Sequence, residues 1–157
     1  MIGSDIFLSE TSTTGTEALA PVGTVRSYMH ETYGYQQYRL VKASGDITAF
    51  KVVEYDTGIL GAAALNDSNF AVSGTIAGVA QNAIASGSYG WVVCSGICKV
   101  TTAASVAAGA AVVTKGAVTA GTVDDTDFGD VEESIIGIFT ELAGSATTTT
   151  MRVSGLL

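Results

Sequence analysis

A chain of 157 residues and 15.9 kDa has room for one ordinary domain. Hydrophobic residues make up 47% of it and charged residues only 14%, against about 25% charged in an average soluble domain. With a mean hydropathy of +0.40, it holds more apolar side chain than a lone domain of this size hides. A formal charge of −8 and a pI near 4.3 argue against nucleic acid and anionic membranes as partners. One His, two Cys and seven Lys+Arg leave few groups for catalysis, so the chain does not read as an enzyme.

The first residues, Met1-Ile2-Gly3-Ser4-Asp5, show neither the basic stretch nor the apolar core of a signal peptide, which predicts synthesis in the cytoplasm without export. Residues 1–20 are rich in Ser, Thr and Gly and predict a flexible N-terminal arm, because they cannot bury enough to offset their ordering entropy. Ile6, Phe7 and Leu8 are its apolar anchors. Pro21 opens a β domain over residues 21–157. Runs dense in β-branched and aromatic residues follow at 22–28, 35–42 and 49–55, separated by turn residues such as Gly34, Ser44-Gly45-Asp46 and Asp56-Thr57-Gly58. The spacing predicts an all-β fold, a compact barrel or sandwich built of hairpins.

The second half contains an echo. Ile76-Ala77-Gly78-Val79 recurs as Ile135-Ile136-Gly137-Ile138, and Cys94-Ser95-Gly96-Ile97 as Val153-Ser154-Gly155-Leu156. Gly78 and Gly137 lie 59 positions apart, as do Gly96 and Gly155. Two similar hairpin units, about 74–100 and 133–157, are the reading this supports, with chance similarity in an Ala/Gly/Thr-rich background as the alternative. Between them, Ala103 to Gly109 predicts at most one short helical turn before a strand at 111–114. Cys94 and Cys98 share a predicted strand, where four residues span about 13 Å. That is too far for an intrachain disulfide, so both read as small buried hydrophobes.

No catalytic constellation emerges. His30 is the single imidazole, in the polar-aromatic stretch Tyr28-Met29-His30-Glu31-Thr32-Tyr33, and no nucleophile elbow, phosphate loop or dinucleotide motif is present. Asp124-Asp125-Thr126-Asp127-Phe128-Gly129-Asp130 with Glu132 and Glu133 copies part of a calcium loop, but its glycine is misplaced and a solvated acidic loop is the simpler reading. No metal site and no cofactor is expected. The aromatic residues crowd instead: Tyr28, Tyr33, Tyr35 and Tyr38 lie within a few residues of Arg26, His30 and Arg39. Tyr and Arg dominate protein–protein hot spots, so this region, together with Trp91, is the predicted contact surface. A tyrosine-lined end of the β domain is the structural alternative.

Four segments carry a resemblance: Ala18-Leu19-Ala20-Pro21-Val22-Gly23-Thr24, then Tyr38-Arg39-Leu40-Val41-Lys42-Ala43, then Ile76-Ala77-Gly78-Val79-Ala80 leading to Tyr89-Gly90-Trp91-Val92-Val93 and Gly96, and Gly137-Ile138 to Val153-Ser154-Gly155. Over about residues 18–157 the chain resembles the head decoration (capsid cement) proteins of tailed bacteriophages. The resemblance implies a compact β domain, usually a homotrimer, on the outer surface of the head. Its partners would be the major capsid protein and itself, with no enzymatic activity, no cofactor, no nucleic acid and no membrane. It places the protein in the virion, stabilising the shell. The arm, reaching about 60 Å when extended, would pair with a shell strand by β-augmentation. The competing expectation is a tail or fibre β domain that binds a host receptor or glycan.

Overall fold

The computed structural model describes residues 15–55, 62–65, 76–114, 120–125, 135–144 and 147–154. They form ten strands: β1 (Val25–His30), β2 (Gly34–Ala43), β3 (Val52–Tyr55), β4 (Ala62–Leu65), β5 (Ile76–Ala80), β6 (Tyr89–Thr101), β7 (Ala111–Thr114), β8 (Val123–Asp125), β9 (Ile135–Phe139) and β10 (Thr148–Val153). The fold is all-β, and no helix occurs among the described residues. One hydrogen-bonded sheet runs β1-β2-β4-β3-β5-β6-β10-β9-β7-β8. Every ladder is antiparallel except β2–β4. Because β1 and β8 remain as its two ends, the sheet as a whole does not close into a barrel, although β2 pairs with β6 as well as with β4.

The echo extends far beyond two hairpins. Adding 59 to the residues of one set of ladders reproduces another set. Leu40 opposes Trp91 and Lys99 opposes Thr150; Val53 opposes Gly78 and Val112 opposes Gly137; Val79 opposes Val93 and Ile138 opposes Arg152. The isolated bridge Ile47–Ile84 has its counterpart in Val106–Ala143. The Phe50 N–H bond to the Ala80 carbonyl, 2.7 Å, is matched by Gly109 N–H to Phe139, 2.8 Å. Even the parallel contact repeats, Ala43 with Ala63 and Thr102 with Val123, with one residue inserted before β8. Apart from β1, the described strands thus form two units of five that share one strand. Strand β6 serves both: its first half closes unit one (β2 to β5), and its second half opens unit two, which continues through β7 to β10.

Apolar side chains divide accordingly. Val41, Ile47, Val53, Ala77, Ile84 and Val92 form the interior of unit one. A larger cluster joins Leu40, Val52, Ile76, Val79 and Trp91 of unit one to Val100, Val106, Val112, Ile136, Phe139 and Met151 of unit two, so the units share a core. Hydrogen bonds also cross the boundary, from Thr101 N–H to the Phe50 carbonyl and from Val52 N–H to the Gly121 carbonyl, both 2.8 Å.

Two sequence expectations shift. No helical turn forms at Ala103 to Gly109: Val106 is buried and its N–H bonds Ala143 across a strand bridge, so the demand to bury that side chain overrides local propensity. Strand β3 begins at Val52 rather than at 49 because Phe50 sits in the left-handed region, φ 61°, which interrupts an extended run. Of the predicted arm, residues 1–14 lie outside the described residues. Gly15 exchanges two backbone hydrogen bonds with Tyr89, and Ala20 packs on the larger cluster.

Candidate functional site

Of the predicted contact residues, Arg26, Tyr28, His30, Tyr33, Tyr35, Tyr38 and Arg39 lie on the β1–β2 hairpin at one end of the sheet. β1 alternates exposed and half-buried positions, as a strand with one covered face must. His30 closes the hairpin: its Nδ1 accepts the N–H groups of Thr32 at 3.0 Å and Tyr33 at 3.3 Å. Its ring lies 4.7 Å from that of Tyr33 and edge-on to Tyr28 at 6.3 Å. The histidine is therefore a turn cap inside a small aromatic group rather than a free base. Arg26 stacks over Trp91 at 5.2 Å, holding β1 down on the shared core.

The structure separates the remaining candidates. Tyr35 is exposed, with its hydroxyl 2.7 Å from Ser27 Oγ. Tyr38, Arg39 and Trp91 are buried and present no surface of their own. Tyr38 Oη donates to Gln36 Oε1 at 2.8 Å, and Gln36 Nε2 donates onward to the Ile97 carbonyl. Arg39 stacks over Tyr55 at 5.7 Å. Ile6, Phe7 and Leu8 lie outside the described residues. Sequence reasoning missed Val25, Met29, Ile135, Ile138 and Leu142, all exposed apolar side chains; the alternation of β1 carried the signal for the first two. A cleft of about 280 Å³ is lined, among the described residues, by Gly15, Thr16, Glu17, Leu19, Leu40 and Tyr89, with Glu17 as the one carboxylate.

Among the described residues no group of three or more His, Cys, Asp or Glu is placed to hold a metal ion. Of the acidic segment, Asp124 is buried in β8 and accepts the Asp125 N–H at 3.0 Å, while residues 126–134 lie outside the described residues. Both cysteines are free and buried. Burial pushes their thiols up, that of Cys98 well above the ordinary range, so neither is a poised nucleophile.

Tyr38 is likewise pushed up, from 10.0 to about 12, first by burial and then by Cys98 and Tyr28. The neutral phenol is favoured in the folded state, so its contribution is complete below pH 10 and is lost as pH rises through about 12. Denaturant titration across that window should show a fall of about 2–3 kcal/mol from Tyr38, with the Cys98 thiol adding to the loss from lower pH. In the Tyr38→Phe variant the fall should shrink by the tyrosine's share.

No family model and no curated protein matches the chain. Among solved structures it is similar in fold to the head fiber gp8.5 N base of bacteriophage phi29, with a TM-score of 0.55 and 16% identity over 74% of this chain and 92% of that one.

Proposed function

We propose that this chain is a structural protein of a phage virion, which binds the outer surface of the capsid as an oligomer and stabilises the shell as a decoration protein. The observation that carries the reading is the fold shared with a phage head fibre base. Its chemistry supports the same conclusion. A sparsely charged chain with exposed Val25, Met29, Tyr35, Ile135, Ile138 and Leu142 is suited to large protein contacts, and the imidazole and both thiols are committed to structure. The major capsid protein is the partner this reading names, and no enzymatic step is assigned.

The test is direct. Purified chain is added to shells assembled without it, and bound protein is measured by co-sedimentation together with the temperature of shell disruption. Saturable binding with a raised disruption temperature is expected; no binding at micromolar concentration overturns the reading. Deleting residues 1–14, which leaves the Gly15–Tyr89 pairing in place, should weaken occupancy by on the order of a hundred-fold if several arms act together. Undiminished binding would discard the arm as the clamp. A second reading, a tail or fibre domain that touches a host receptor or glycan, is favoured by the His30–Tyr33 stack, and labelling on intact particles separates head from tail.

A further inference from the structure

The two units differ in what covers them. In unit one the outward side of β5 is sealed: Ile76 is 2% exposed and Val79 0%. Both belong to the cluster shared with unit two. Their counterparts 59 residues on, Ile135 and Ile138, are 59% and 49% exposed. The hydrogen bonding follows the same division. Gln81, at the end of β5, reaches into the next unit, with its amide nitrogen 3.0 Å from the Lys99 carbonyl and its oxygen accepting the Lys99 N–H at 3.1 Å. Its counterpart Thr140 turns back on its own unit and bonds Thr150.

The opposite end of the tandem is closed by the chain itself. Leu40 is the counterpart of Lys99, and there Gly23 N–H bonds the Leu40 carbonyl at 2.8 Å while Leu40 N–H bonds Thr24 at 3.0 Å. Residues 23 and 24 thus do for unit one what Gln81 does for unit two. β1 then follows, and its outward face leaves Met29 66% and its cross-strand partner Tyr35 54% exposed. Among the described residues one end of the two units is covered and the other is not, whereas an array in water needs a cap at both ends.

We propose that the β9 face, Ile135 and Ile138, is a subunit interface that seats the β1–β2 hairpin of a second copy of this chain through Val25, Met29 and Tyr35. This rests on the oligomeric part of the reading above and names its surface. In unit one the same face is filled by the interior side chains of unit two, so an apolar protein face is what fits it, and the β1–β2 hairpin is the other strand face that leaves large apolar side chains exposed among the described residues. Charge selects the same pairing. The chain carries 15 Asp+Glu, so copies repel, yet the strand positions of both faces hold none. Arg152 sits directly across from Ile138. Pairing β9 with β9 would bring two exposed Arg152 side chains together, whereas the arginine on the β1–β2 face, Arg39 across from Val25, is buried and stacked over Tyr55. The contact is therefore heterologous, the type that closes a ring when its rotation allows.

The test uses the full-length chain in solution without capsids, so its failure and the failure of the virion reading are distinguishable. Sedimentation equilibrium should show an oligomer that Ile138→Asp or Met29→Asp each weakens on the order of a hundred-fold or more, while Thr48→Asp, at an exposed position on neither face, leaves it intact. Circular dichroism confirms that each variant is folded. Because both native cysteines are buried, single Met29→Cys and Ile138→Cys variants can be mixed and oxidised. A disulfide-linked pair in the mixture, and none in either variant alone, is expected. A wild-type chain that sediments as a single copy, an oligomer indifferent to Ile138→Asp, or crosslinking of Ile138→Cys with itself would each overturn the proposal.

Discussion

Replacing Phe139 with alanine should lower the unfolding free energy by about 3–5 kcal/mol, and the fluorescence of Trp91 should report the whole loss although the two residues belong to different units. Phe139 is fully buried at the end of β9, and Trp91 is the chain's single tryptophan. The cost combines lost transfer energy with a cavity that a close-packed interior does not collapse to fill. The long-range report follows from β6, whose residues 89–95 pair with β2 and whose residues 96–101 pair with β10. A strand cannot leave one unit while staying ordered in the other, and the cluster uniting Trp91 with Phe139 adds to the coupling. Urea unfolding followed by tryptophan fluorescence and by far-ultraviolet circular dichroism should therefore give coincident curves. A fluorescence midpoint untouched by Phe139→Ala would show two independent units and refute the coupling.

Gly78→Ala and Gly137→Ala should each cost about 1–3 kcal/mol. A Cβ at Gly78 would lie 2.6 Å from the Val93 carbonyl oxygen and 2.9 Å from Val92 Cγ2. At Gly137 it would press still closer on the Arg152 carbonyl and lie 2.7 Å from Met151 Cε. In both places the obstacle includes backbone pinned in an antiparallel ladder, so relief requires displacing the strand itself. Each glycine sits beside the bulge where register shifts against the neighbouring strand, β3 in unit one and β7 in unit two, as strand glycines commonly do. Gly45→Ala, where no atom lies within 4 Å of the added carbon, should stay within about 0.5 kcal/mol of wild type. Equal behaviour of all three variants in chemical denaturation would contradict the close approach.

The all-β class was legible because β-branched and aromatic runs alternate with turn residues, and β2 and β6 lie within a residue or two of where those runs put them. Strands β4 and β8 were not legible. Ala62–Leu65 and Val123–Asp125 are alanine-rich or acidic, and their order comes from partners on β3 and β7 rather than from local preference. The repeat showed at Gly78, Gly96 and Gly137 because those positions tolerate no side chain, whereas the rest of each unit needs merely a small or branched apolar residue. Val41 and Val100, or Val53 and Val112, match; Tyr38 and Ile97, or Arg39 and Cys98, do not. The shared strand hid the rest, since β6 is the last element of one copy and the first of the next. For the proposed contact surface, composition pointed to the β1–β2 hairpin, but it could not tell that Tyr38, Arg39 and Trp91 turn inward while Met29 turns out.

The left-handed residue ahead of β3 is a phenylalanine, whereas its counterpart ahead of β7 is Gly109, φ 83°. Only at the internal junction does a ring stand there, and the Lys99 ammonium lies 5.7 Å from its centre, so a backbone geometry that costs about 1–3 kcal/mol for an ordinary residue is tolerated where it welds one module to the next. Glycine keeps the same bend in unit two without that expense. A concatemer engineered by grafting another 59-residue segment beyond β10 would accordingly need an aromatic in place of Gly109 to fasten the newcomer, which makes this one position a marker of whether a module is welded to the next.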